Sequence, residues 1–223
     1  LRGGVISTPI KVAVSFDDFG YGLHREVKIA LDAAATALSN AGYAVEEVEP
    51  PLAHEIGEAG YRALMGEVKA IMRDDIRDYG SSTLNAIFDE YFVQFPPYEG
   101  TDLIRAFAQR SYYARAWSQF LDDYPLVLCP FLLKPFFPPN RDAQGSEGVR
   151  EALGSAHWSF IMNFLGRPAG NLPTHVADLP GGKQPIGVQI AGRRWREDLV
   201  VDAMQAIEAE IPPLCHMLWD HIG

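Results

Sequence analysis

Long apolar runs are missing from this chain of 223 residues. The longest, such as Pro125 to Leu133, are interrupted by proline within about ten residues, far short of the ~20 that a membrane-crossing helix needs, so a membrane partner is not expected. Cysteine is scarce. Cys129 and Cys215 are the two in the sequence, too few for a disulfide framework and suited to a reducing compartment. Basic residues are outnumbered, 19 Lys and Arg against 29 Asp and Glu, for a formal charge of -10. The acidic groups are scattered rather than gathered in a tail, so the surface repels phosphate backbones and nucleic acid is not expected as a partner. Leu1-Arg2-Gly3-Gly4 holds no basic stretch leading into an apolar segment, so nothing there reads as a secretory signal. Cytoplasm is the default expectation, and a missing N-terminal segment would remove any signal. Internal repeats and low-complexity tracts are absent too. So are the Gly-x-Ser-x-Gly elbow, the Gly-x-Gly-x-x-Gly dinucleotide loop and the His-Glu-x-x-His zinc helix.

What is present is ordinary globular composition, 48% hydrophobic and 22% charged, on a chain long enough to bury a sizeable core. Lys11 to Phe16 is β-branched and apolar, a buried strand running into Asp17-Asp18. From Leu23 the period changes. Val27, Ala30, Leu31, Ala34 and Leu38 recur at helical spacing, and Gly42 supplies a left-handed cap. Ala44 to Val48 returns as a strand, which predicts a right-handed parallel crossover. His54 to Tyr79 reads as one helix stopped by Gly80-Ser81-Ser82, and Thr101 to Asp122-Asp123 as another, dense in aromatics. Leu126 to Cys129 is a short apolar run closed by Pro130, as in a strand buried on both faces. Phe131 to Asp142, rich in proline and aromatics, is an irregular loop that either lines a pocket or covers core. Glu147 to Leu165 reads as a helix. Gly170 to Val176 and Pro185 to Ala191 are strands flanking the turn Pro180-Gly181-Gly182, and Glu197 to Glu210 is a last helix. The fold class is therefore α/β, a mixed β-sheet flanked by helices, with residues 1–223 as a single unit.

Residue types with catalytic potential are few. Ser81-Ser82 sits in Tyr-Gly-Ser-Ser-Thr and reads as a turn that terminates a helix. Gly181-Gly182-Lys183 fails as a phosphate loop, because the upstream glycine position is Ala177 and Gln184 follows the lysine. Cys215, His216, Asp220 and His221 have zinc-binding chemistry but no standard ligand spacing, so no metal is expected. His157 sits between Ala156 and Trp158 on the helix and reads as a packed residue. His175 ends a strand, where catalytic groups of α/β proteins gather, yet no serine or cysteine is marked as its partner.

Asn163-Phe164-Leu165-Gly166-Arg167-Pro168-Ala169, then Pro173, then Pro185-Ile186-Gly187-Val188-Gln189-Ile190-Ala191-Gly192 and Glu197-Asp198-Leu199-Val200 resemble, in order and spacing, the C-terminal part of amidase-signature enzymes. Pro9 to Pro51 and Tyr124 to Pro139 are similar to earlier stretches of that family. The resemblance implies the C-terminal part of the amidase-signature fold. The family cleaves amides with a serine nucleophile, a bridging serine in a cis peptide bond and a lysine kept neutral by burial, with glycine-rich backbone amides at the oxyanion. In the family all of these lie in the N-terminal half. Lys11, Lys28, Lys69, Lys134 and Lys183 lack the lysine-motif context, so no catalytic residue is carried over.

The implied partners are therefore a small-molecule amide substrate and the N-terminal half of the same enzyme, with acyl transfer to water and no metal or organic cofactor. A homo-oligomer stays open. The contribution expected of this part is a wall of the core sheet and of the substrate pocket. Phe131, Trp158 and Ile186 offer apolar surface for an acyl or aryl group, and Gly187 permits close approach of backbone. Gln189 needs a polar partner if buried, and a structural one is the expectation. A noncatalytic binding or interaction module derived from the amidase fold is the alternative.

Overall fold

The structure, a computed structural model, describes residue 4 and residues 8–219. The chain begins with β1 (Lys11–Val14), α1 (Arg25–Asn40) and β2 (Ala44–Glu47), and β2 lies parallel to β1 with Lys11 opposite Ala44. His24 caps α1, its Nδ1 accepting the Glu26 N–H at 3.2 Å. The Val27, Ala30, Leu31, Ala34 and Leu38 stripe of α1 is buried, and Gly42 takes the positive φ of 91° expected of it. Helices α2 (Ala53–Ile71), α3 (Arg73–Tyr79), α4 (Ser82–Gln94) and α5 (Gly100–Asp123) follow. Next come β3 (Leu126–Pro130), α6 (Gly145–Ser155), α7 (His157–Leu165), the hairpin β4 (Ala169–Leu179) and β5 (Gly182–Gly192), then α8 (Glu197–Glu210) and α9 (Cys215–Trp219).

Among the described residues the strands form a mixed sheet in the order β2-β1-β3-β5-β4. β1 runs parallel to β2 and β3, whereas β5 runs antiparallel to β3 and β4. Every residue of β3 is buried, as its unbroken apolar run requires of a central strand. Strand alternation sends Val12, Val14, Leu128 and Ile190 into one core with α1 and α8, and Ala13, Val127 and Cys129 into a second with Trp117, Ile161 and Leu165. Gln189 meets the structural expectation. It is 2% exposed and donates to Cys129 Sγ at 3.7 Å, while burial pushes the Cys129 thiol up to about 12.

Three helical expectations change. His54 to Tyr79 is two helices broken at Met72, and Glu147 to Leu165 is two helices broken at Ala156. Ser81 does not only end a helix; its hydroxyl accepts the Leu84 N–H at 3.1 Å and caps α4. None of the side chains of α4 is buried, so its residues lack the one-sided stripe by which a helix is read from sequence. Of the Cys215, His216, Asp220 and His221 group, the first two lie on α9, while Asp220 and His221 are outside the described residues. Leu1 to Gly3 also lie outside them.

His157 opens α7 in full burial, and neither ring nitrogen finds a hydrogen-bond partner among the described residues. Phe19 packs on it at 4.3 Å between ring centroids, with Tyr21, His54 and Tyr61 each at 5.8 Å. Burial pulls its pKa from 6.5 to about 4. Gly57 of α2 admits this ring, since a Cβ there would stand 1.9 Å from His157 Nε2. Gly57→Ala is therefore expected to destabilise the chain by about 2 kcal/mol through overpacking, read as a lowered urea midpoint. An unchanged midpoint would contradict the contact.

The pH dependence follows from the same site. The unfolded chain protonates this histidine near 6.5 and the folded chain only near 4, so the unfolded state holds more protons in between. Stability from this group is complete above pH 6.5 and declines as pH falls towards 4, by about 3 kcal/mol in all. Urea unfolding measured from pH 7 to 4 should show that slope in the native chain and a flatter one in His157→Leu. Identical slopes would contradict the assignment.

Candidate substrate pocket

The proline-rich segment after β3 is irregular but firmly held. Leu133 is fully buried, its N–H donates to Ser155 O at 2.8 Å, and its carbonyl accepts the His24 N–H at 2.9 Å. The break between α6 and α7 makes this possible, because it leaves carbonyls at the end of α6 without helical partners. Lys134 N–H adds a bond to Ser155 Oγ at 3.3 Å, and Ser159 Oγ donates to Phe131 O at 2.5 Å. Residues 131–134 are thereby fixed against α1, α6 and α7.

Facing this loop is the first half of β5, and between them lies a cavity of about 470 Å³. Phe131, Leu132, Pro135, Pro185, Ile186 and Gly187 give it mainly apolar walls, and Lys134 and Gln184 carry its polar side chains. Lys134 Nζ is 3.1 Å from Glu151 Oε1, and Glu151 also accepts from Arg141, so the charge at the rim is paired. Gly187 leaves the wall low: a Cβ there would meet only Leu172 backbone, at 3.3 Å. An apolar cleft of this kind suits a hydrophobic group. A second cavity, about 360 Å³, opens between α2, α5 and α7 and is lined by Leu64, Phe107, Arg110 and Phe164.

Of the four residues predicted for the pocket, Phe131, Ile186 and Gly187 converge on the first cavity. Trp158 stands apart from it. It lies on α7, fully buried in the core, with its Nε1–H donating to Asp17 O at 2.9 Å. An indole needs a partner for its N–H when buried, and the turn after β1 supplies one. Sequence reasoning missed Lys134 and Gln184. Gln184 entered it only as the residue that disqualified a phosphate loop, and the signal that could have found it was its position just before the Pro185-Ile186-Gly187 run.

His175 is paired rather than poised as a base. A β-bulge between Pro173 and His175 accompanies a contact of its Nε2 with Glu26 Oε2 at 2.7 Å, and Thr174 Oγ1 donates to Ala30 O at 2.8 Å. Arg25 and His175 beside it hold the Glu26 carboxyl below the usual carboxylate range. Near the end of β1, Ser15 donates to Glu49, whose carboxyl is pushed up by burial.

Known proteins share the sequence and the fold of this chain. The chain is 30% identical over 213 residues to an indoleacetamide hydrolase of Bradyrhizobium japonicum, covering 95% of this chain and 45% of that protein. It superposes on 6-aminohexanoate cyclic dimer hydrolase with a TM-score of 0.68 at 19% identity, covering 94% of this chain and 47% of the other. It superposes on a bacterial aryl acylamidase of the amidase signature family with a TM-score of 0.65 at 19% identity, covering 90% and 43%. The chain thus spans less than half the length of the curated relatives over which it matches along most of its own. The family described as Amidase matches residues 5–201, and the chain belongs to that family.

Proposed function

We propose that this chain is the C-terminal portion of an amidase that hydrolyses a small apolar carboxamide, and that the loop at Phe131 and the start of β5 form the wall holding its acyl or aryl group. The single observation that carries the reading is the convergence of Phe131, Ile186 and Gly187 on one apolar cavity. The catalytic serine pair and lysine belong to an N-terminal half that precedes these residues. In that scheme the serine oxygen attacks the amide carbonyl, the C–N bond breaks as the leaving amine takes a proton, and water then cleaves the acyl-serine ester to release a carboxylate. The relative at 30% identity, an indoleacetamide hydrolase, supports an aryl-acetamide as the substrate class, and so does a cleft walled by Phe131, Pro135 and Pro185.

The test is the intact mass of the native gene product, with ammonia release measured on a panel of aliphatic and aryl amides. A product roughly twice the mass of this 24.7 kDa chain, active on aryl-acetamides, is the expected result. Turnover by a native product of 24.7 kDa would overturn the placement of the catalytic groups. Inactivity of that short product would favour a binding module. In the active enzyme Phe131→Ala should raise KM for an aryl-acetamide roughly fivefold with little change in kcat, since it removes about 1 kcal/mol of uniform aromatic contact. Phe131 is 37% exposed, so the fold tolerates the change.

A further inference from the structure

The cavity between α2, α5 and α7 combines an apolar body with a positive end. Leu64, Phe107, Phe160 and Phe164 give it apolar walls, and its polar side chains are Glu67, Arg110 and Asn163. Among the described residues the Arg110 guanidinium has neither a hydrogen bond nor an ion pair, and the exposed Glu67 does not neutralise it. At the C-terminal end of α7, the point where a Gly166 Cβ would stand lies 2.9 Å from Arg110 Nη2 and 3.3 Å from Arg194 Nη2. Two guanidiniums thus converge on one spot. Arg194 donates to the Gly166 and Leu165 carbonyls at 3.3 Å each, which caps α7 and leaves its Nη1 hydrogens unused.

The neighbouring Arg167 adds to the positive field. It is buried, and among the described residues its partners are uncharged, the Ala114 carbonyl and Ser118 Oγ. Burial, and then the nearby cations Arg194 and Arg193, hold its guanidinium below the usual arginine range. Arg193 itself is paired with Asp122. In a chain of net charge -10, Arg110, Arg167 and Arg194 therefore gather without a carboxylate among the described residues. Cations held side by side repel, and an anion between them relieves the repulsion and takes charge-assisted bonds from both. Gly166 is exposed and Arg110 half-buried, so a solute reaches the spot.

We infer that this cavity is a binding site for a small apolar carboxylate, whose oxygens bridge Arg110 and Arg194 beside Gly166 and whose alkyl or aryl body lies between Leu64, Phe107 and Phe164. A planar head with two acceptors matches the donor geometry of guanidinium, and the absence of a side chain at Gly166 leaves the head its room. A volume of about 360 Å³ holds a body of one ring and a short chain.

The experiment follows the Leu64 methyl groups by NMR in the labelled native gene product, titrated at neutral pH with 3-phenylpropanoate and with 3-phenylpropan-1-ol, which has the same body without the charge. Neither probe carries an amide, so the result is independent of hydrolysis. The carboxylate should shift Leu64 saturably and bind about tenfold more tightly than the alcohol. Arg110→Gln and Arg194→Gln should each weaken the carboxylate about fivefold and leave the alcohol unchanged, and binding of the alcohol to both variants reports that the fold is kept. Equal affinities of the two probes, an unmoved Leu64, or a carboxylate preference that survives in the double variant would overturn the inference.

Discussion

The bond between Leu133 N–H and Ser155 O, 2.8 Å long, is the constraint on which the pocket depends. A segment with the composition of residues 131–142 has little regular structure to hold it, because proline removes donors and fixes φ. Its order comes instead from the neighbouring helices. The interruption at Ala156 frees the Ser155 carbonyl, the buried Leu133 side chain occupies the core, and the N-terminal cap residue of α1 donates to Leu133 O. A continuous helix over residues 147–165 would satisfy that carbonyl internally and release the loop. The helix break is therefore part of how the apolar wall is built.

The sheet supplies the opposite wall by the same economy of position. β3 and β5 run antiparallel, with Pro130 opposite Val188, so the end of one strand and the beginning of the other lie together. Phe131 follows directly from β3, and Gln184 to Gly187, paired with β4, lead into the part of β5 that pairs with β3. Ile186 and Val188 belong to the α1 and α8 core, so one wall of the cleft is anchored in packed side chains rather than on a mobile connection. Sites carried on such elements hold their geometry better than sites on free loops.

Much of this was legible in the sequence, and the reasons differ by element. The β1-α1-β2 crossover and the last helix carry one-sided apolar periods, which specify an element and its buried face together. The hairpin was marked by Pro180-Gly181-Gly182, although its strands extend to Ala169–Leu179 and Gly182–Gly192 because main-chain pairing continues past the apolar residues. α4 and the breaks at Met72 and Ala156 were not legible. Contacts between segments distant in sequence surround them, as Tyr61 Oη donating to Leu153 O at 2.5 Å illustrates. Phe131, Ile186 and Gly187 were legible as pocket candidates because an apolar pocket needs those residue types, and the fold brings them to one cavity. Trp158 has the same chemistry, but its indole N–H is committed to Asp17 O. Gln184 could not be found in this way, since its place in the lining is a property of the folded hairpin and not of the residue.

The central claim is that the cleft between Phe131 and β5 is where an aryl-acetamide sits. Methyl NMR on the isotopically labelled chain, titrated with indole-3-acetamide, tests it directly. The account predicts saturable shifts at the methyl groups of Leu132 and Ile186, with Leu64 in the cavity between α2, α5 and α7 unmoved. Shifts centred on Leu64, with Leu132 and Ile186 unchanged, would contradict it.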